Sequence, residues 1–210
     1  MRNLFNADSP LMRFLNRFAD FMLINLLFIA TSLPLVTLGA SLSALSATAI
    51  KQVKGEDESL FADYLASFKN NLRQGTVIGL ICGFLVLVLG AWYIVIDNLN
   101  INEIFRLLLW IAFSFVAFRV GIMLLYVFPY QGVFDDNIRT VFRNARLMSL
   151  RHLPSSLMMA IVLGLPVVVT VFYPQVIGYG LLWLLVGFSA IAYANATFFV
   201  RIFAAYAHDF

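Results

Sequence analysis

The residue of this sequence best placed to do chemistry is an arginine in an apolar setting. Arg119 lies in the apolar stretch Ile104–Phe128, about nine residues from its far end, or roughly 14 Å along a helix. An arginine at that depth in lipid costs about 2.5–3.5 kcal/mol on insertion scales, so it faces protein or water and has a partner. Asn25 and Asn195 fall at similar depth in two other apolar stretches, roughly 9–12 Å from the same side. Asp20 is shallower, within reach of a snorkelling guanidinium. Asp20, Asn25, Arg119 and Asn195 are therefore expected to form a polar layer in the inner half of a helix bundle. Such a layer either joins helices by hydrogen bonds or receives an anionic or hydroxylated ligand.

The other candidates carry less. Asp135-Asp136 suggests acid–base or metal chemistry, but a carboxylate pair before a helical stretch more simply caps that helix, meeting free amides and the positive dipole end. Glu56-Asp57-Glu58 reads as a solvated helix start. His152 and His208 have no neighbours at metal-ligand spacing, so no metal site is expected. Cys82 is the single cysteine and lies in an apolar run, which excludes an internal disulfide. No glycine-rich phosphate loop and no nucleophile elbow are present. The reading is a chain with no catalytic residues and no cofactor, and so not an enzyme.

The elements that position these residues follow from composition. Of 210 residues, 62% are hydrophobic and 12% charged, against about 45–50% apolar and about 25% charged in soluble domains. A chain of this length cannot hide that much apolar surface from water; lipid is the solvent that accepts it. The expectation is an all-α polytopic transmembrane bundle, one domain over 1–210. Six spans are predicted at about 15–33, 35–53, 75–96, 104–128, 155–172 and 176–202. The lead-in to the first begins with Ser9-Pro10, a capping serine followed by proline at the first helical position. The second span is rich in small residues, and Ala40, Ala44 and Thr48 recur four apart, a spacing that lets helices approach closely.

Two polar segments are patterned as amphipathic helices. In 58–73, Leu60, Phe61, Tyr64, Leu65, Phe68 and Leu72 recur at i, i+3 and i+4; in 135–152, Ile138, Val141, Phe142, Ala145 and Met148 alternate with Arg139, Arg143, Arg146 and Arg151. Both are expected to lie at the cytoplasmic interface or to dock a partner. Pro34–Gly39 is the weakest joint: a turn there gives six spans, a kink five.

Charge fixes the expected orientation. Twelve of the 14 basic residues fall on one side of this arrangement, from Arg2, Arg13 and Arg17 through Lys51, Lys54, Lys69 and Arg73 to Arg139, Arg143, Arg146, Arg151 and Arg201. Basic flanks stay in the cytoplasm, so both termini are predicted inside a cell membrane. Trp92, Trp110, Trp183, Tyr93, Tyr173 and Tyr179 gather toward the other side, as an interfacial aromatic belt does. The net charge of +3 is spread between apolar spans, which suits anionic lipid head groups and excludes a nucleic-acid surface. Oligomeric state is not legible.

Several short segments together resemble the YesL-like family of bacterial membrane proteins, which carry a domain of unknown function. They are Asp8-Ser9-Pro10-Leu11-Met12-Arg13-Phe14 with Asp20 and Asn25, Leu33-Pro34-Leu35-Val36-Thr37-Leu38-Gly39-Ala40-Ser41, Phe68-Lys69-Asn70-Asn71 with Gln74-Gly75-Thr76, Tyr126-Val127-Phe128-Pro129, and Arg151-His152-Leu153-Pro154. Their order and spacing carry the likeness across nearly the whole chain. The resemblance implies an accessory role beside carbohydrate ABC transporters and transfers no active-site residue. Two functions are then expected to compete: a non-enzymatic accessory protein that docks sugar-transporter subunits, or a small stand-alone transporter or channel for a polar or anionic solute.

Overall fold

The computed structural model describes residues 10–56, 59–173 and 177–206, and every regular element in them is helical. Ser9, Asp57, Glu58 and His208, expected above to cap a helix or to start one, or weighed as a metal ligand, lie outside the described residues. Eight α-helices follow in order: α1 Pro10–Ser32, α2 Leu38–Lys54, α3 Leu60–Asn98, α4 Glu103–Val133, α5 Ile138–Arg151, α6 Leu153–Phe172, α7 Ile177–Leu182 and α8 Phe188–Ala204. A 3₁₀ turn, Leu35–Thr37, joins α1 to α2, and one π-helical turn, Trp183–Gly187, joins α7 to α8. Five helical stretches are long and apolar enough to cross a membrane: Leu15–Ser32, Leu60–Asn98, Glu103–Val133, Leu153–Phe172 and Gly180–Ala204. The chain is a polytopic helix bundle, and the 17-residue α2 is the sixth candidate span.

Pro34–Gly39 is a reversal, because Ile24 and Phe28 of α1 share one core cluster with Ala44 and Leu45 of α2. A single bent helix could not bring them together. Thr37 stabilises the turn through Oγ1, which donates to the Thr31 carbonyl at 2.6 Å and the Pro34 carbonyl at 2.8 Å. Pro34 itself supplies no amide donor, so the helix ends there and the side chain of Thr37 takes over the pairing.

α2 is the axle of the bundle. Its small residues put Ala40, Ser41, Ser43, Ala44, Ala47, Thr48 and Ala49 in the interior, and it packs against α1, α3, α4 and α8. Gly39 is the closest approach: a methyl group there would stand 2.8 Å from Gly79 Cα, and nearer still to the Gly75 carbonyl oxygen. α2 ends at Gly55, whose φ of 72° is the left-handed cap that glycine adopts without steric penalty.

The structure corrects one expected element. The segment expected as an amphipathic helix over 58–73 runs without a break into the span that follows it: residues 60–73 are the first part of α3, whose 39 residues extend about 58 Å at helical rise. No proline interrupts Gln74-Gly75-Thr76, and Gly75 is tolerated in mid-helix because α2 lies against it. Part of the apolar face of this segment covers the α1–α2 hairpin, while Phe61 and Leu72 stay exposed. Leu60 and Tyr64 are buried with Ile24, Phe28 and Leu45, and the Tyr64 hydroxyl lies 2.6 Å from Thr31 Oγ1.

Candidate functional site

At one end of the bundle the basic residues of α2, α3, α5 and α8 converge, and this is called the basic end below. Lys51 pairs with Asp63 at 2.6 Å, Gln74 Nε2 donates to the Asp136 carbonyl at 2.6 Å, and Arg151 lies over the Tyr206 ring at 5.7 Å. At the opposite end, Tyr93 stacks edge-on against Trp110, Trp92 against Phe113, and Arg106 Nη2 closes the α3–α4 loop on the Leu99 carbonyl.

Of the four residues expected in one polar layer, Asn25 has the most defined role. It is fully buried and spans the π-helical turn: Nδ2 donates to the Trp183 carbonyl at 2.9 Å and the Leu184 carbonyl at 2.7 Å, while Oδ1 accepts from the Ser189 amide at 3.1 Å. A π turn breaks the regular ladder, and buried backbone groups left without partners are costly. One carboxamide from α1 supplies both missing donors and the missing acceptor. Ser189 Oγ completes the joint by donating to the Phe21 carbonyl at 2.8 Å. Trp183 leans over Gly187, where any side chain would strike its ring, and its indole donates to Thr170 of α6 at 2.9 Å.

Asn195 lies on another wall. It lines a cavity of about 480 Å³ between α2, α4, α6 and α8, with Leu42, Leu45, Phe128, Trp183 and Phe188, and its Oδ1 has no partner among the described residues. Apart from Ser46, whose hydroxyl donates to the Leu42 carbonyl, the other walls are apolar. Arg119 is half-buried on α4 and does not line this cavity; no hydrogen bond or ion pair joins it to Asn25 or Asn195. Asp20 is partly buried on α1 and is not free of partners. Trp183, whose carbonyl accepts from Asn25, also lines the cavity that Asn195 lines, and Arg119 belongs to neither contact set.

The second expected amphipathic segment is α5, docked by its apolar face. Val141, Ala145 and Met148 are buried among Tyr126, Tyr130 and Phe203. The opposite face exposes Arg139, Arg143, Arg146, Leu147 and Leu150. The cap of α5 differs from the expected one. Asn137 caps it, its Oδ1 accepting from the Thr140 amide at 3.0 Å, because the helix starts only at Ile138. Asp136 serves packing: its Oδ2 accepts from the Tyr130 hydroxyl at 2.6 Å, which in turn accepts from Asn144 Nδ2 at 2.6 Å. Asn144, Tyr130, Asp136 and Gln74 therefore lock α5 to α4 and α3. Ser189, Tyr130 and Asn144 were not singled out from sequence; a polar residue recurring among buried helical positions was the available signal.

Among the described residues no cluster of three or more His, Cys, Asp or Glu side chains is placed to hold a metal. The match to known families falls on the hinge of this architecture. Residues 21–93 match the family model described as protein of unknown function, DUF624. The matched segment runs from the Asn25 region of α1 through the Pro34–Gly39 reversal and α2 to Tyr93 of α3. It contains all three glycines of the Gly39–Gly75–Gly79 contact. The DUF624 match agrees with the resemblance to YesL-like proteins. No curated protein and no solved structure matches the chain.

Proposed function

We propose that this chain is a non-enzymatic accessory protein of the cell membrane, its basic end in the cytoplasm, and that the exposed face of α5 docks an acidic surface of a partner. The observation that carries this reading is the two-sidedness of α5. Its apolar side is already buried in the bundle, and its other side offers Arg139, Arg143 and Arg146 around Leu147 and Leu150. Among the described residues no ion pair joins a carboxylate to these arginines, unlike Lys51, which pairs with Asp63, and Lys54, which pairs with Glu56. Arginine-rich patches with apolar centres steer and anchor acidic partners, and the lock through Tyr130, Asp136 and Asn144 presents the patch preformed. The YesL-like resemblance supports subunits of a carbohydrate ABC transporter as that partner.

The test is purification from native membrane after crosslinking. The wild-type chain is expected to retain transporter subunits, and the triple variant Arg139→Glu, Arg143→Glu, Arg146→Glu to lose them while still inserting. Equal recovery from both would defeat the assignment to α5.

A second reading, a stand-alone transporter, is favoured by the π turn at Trp183–Gly187 beside a cavity, since irregular helices line substrate sites in many transporters. Solute flux into proteoliposomes holding only this chain would establish it; an absence of flux leaves the accessory role.

A further inference from the structure

A second cavity, of about 540 Å³, opens at the basic end between α2, α3 and the close of α4. Unlike the apolar cavity on the other side of α2, its lining is mostly polar. Thr48 of α2 and Gln131 of α4 are only 1% and 4% exposed, and both line it. Thr48 Oγ1 has no hydrogen-bond partner among the described residues. Gln131 binds Ser43 Oγ at 2.8 Å with one end of its carboxamide and leaves the other end unpaired. Asp63 on α3 is arranged likewise: Oδ1 accepts from Lys51 Nζ at 2.6 Å, and Oδ2 is buried without a partner among the described residues.

Thr48, Gln131 and Asp63, from three neighbouring elements, all line this cavity, and each carries one buried polar atom without a hydrogen-bond partner among the described residues. Such atoms are costly unless something polar meets them. Their chemistry selects what that is. An anion would face Asp63, and Asp135 at the rim, with only Lys51 in compensation. A cation would compete with Lys51, already seated on Asp63, and would find neutral groups on the other two walls. A hydroxyl both donates and accepts, so it suits a carboxylate oxygen, a threonine hydroxyl and either end of an amide.

We propose that this cavity is a binding site for a small, neutral, polyhydroxylated solute, held by Thr48, Gln131 and Asp63. The site is independent of docking through α5 and of any flux. Binding of radiolabelled glucose, sorbitol and a neutral disaccharide to the full chain in nanodiscs tests it at millimolar concentration, with gluconate and glucosamine as charged counterparts.

Saturable binding of at least one neutral probe is expected, weakened about fivefold or more by Thr48→Val, which removes one hydrogen bond at nearly constant volume. Ser67→Ala, on the cavity wall, provides a second variant should Thr48→Val unfold. It is expected to weaken binding in the same direction. Water alone in the cavity, seen as no saturable binding of any neutral probe, would overturn the proposal. So would tighter binding of gluconate or glucosamine than of glucose, or unchanged binding in both variants.

Discussion

Replacing Gly39 by alanine tests the packing that organises this bundle. A Cβ at Gly39 would stand 2.8 Å from Gly79 Cα, with the Gly75 carbonyl oxygen closer still, while ordinary contact begins at 3.4 Å. The Gly79 contact alone requires α2 and α3 to part by about 0.6 Å, and the Gly75 carbonyl requires more; both obstacles are backbone that no rotamer change can move. Overpacking of this kind costs about 1–3 kcal/mol, and alanine returns up to about 1 kcal/mol through helix propensity. The net loss expected for Gly39→Ala is therefore about 1–2 kcal/mol.

The neighbours grade the effect. Gly75→Ala meets Ala40 Cα at 2.8 Å and Ala40 N at 2.9 Å, whereas Gly79→Ala meets Gly39 Cα at 3.0 Å. Gly83 and Gly90, on the same helix, have nothing within 4 Å, and alanine there should be neutral or stabilising by up to about 1 kcal/mol. Thermal unfolding of purified variants in one detergent reads the series, with about 2–4 °C per kcal/mol for a chain of this size. The predicted order of stability runs Gly39→Ala lowest, then Gly75→Ala, then Gly79→Ala, then Gly83→Ala and Gly90→Ala. A Gly39→Ala protein as stable as Gly90→Ala would refute the close approach of α2 to α3.

Two further predictions rest on buried hydrogen bonds. Asn25→Leu strands the Trp183 and Leu184 carbonyls and the Ser189 amide; a loss of about 1–3 kcal/mol is expected, with faster hydrogen exchange confined to 183–189, and protection unchanged there would remove the clamp. Tyr126→Phe deletes the 2.8 Å contact between the phenol and Ser156 Oγ that joins α4 to α6. Because Ser156 keeps its bonds to the Ser149 and His152 carbonyls, the expected loss in the same unfolding assay is only about 0.5–1.5 kcal/mol. A loss of several kcal/mol would show that Ser156 has no other support.

Much of this bundle can be read from residue types, and the unread part has a physical cause. Long apolar runs and the one-sided placement of Lys and Arg define the spans, because lipid admits few other solutions. Pro34 and Gly39 mark the reversal, but whether a proline–glycine pair turns a chain or bends it depends on contacts such as those of Ile24 and Phe28 with Ala44 and Leu45. The segment 58–73 shows the same limit. Its i, i+3, i+4 pattern reveals a face that must be covered, and periodicity cannot say whether lipid, a partner or α2 covers it. Arg119 and Asn25 look alike as isolated polar residues in apolar runs. Only the π turn, which no residue pattern announced, explains why Asn25 is fully enclosed while Arg119 stays half-buried at a distance from it. Thr48, Gln131 and Asp63 lie far apart in sequence, and only the crossing of α2 with α3 and α4 puts them in one cavity.

The docking role of α5 is tested most directly by a photo-crosslinking residue placed in turn at Leu147, on the exposed face, and at Met148, which is buried. In native membrane the account predicts an adduct with a carbohydrate-transporter subunit at position 147 and none at position 148. Protein adducts absent from 147, or equal at both positions, would contradict it.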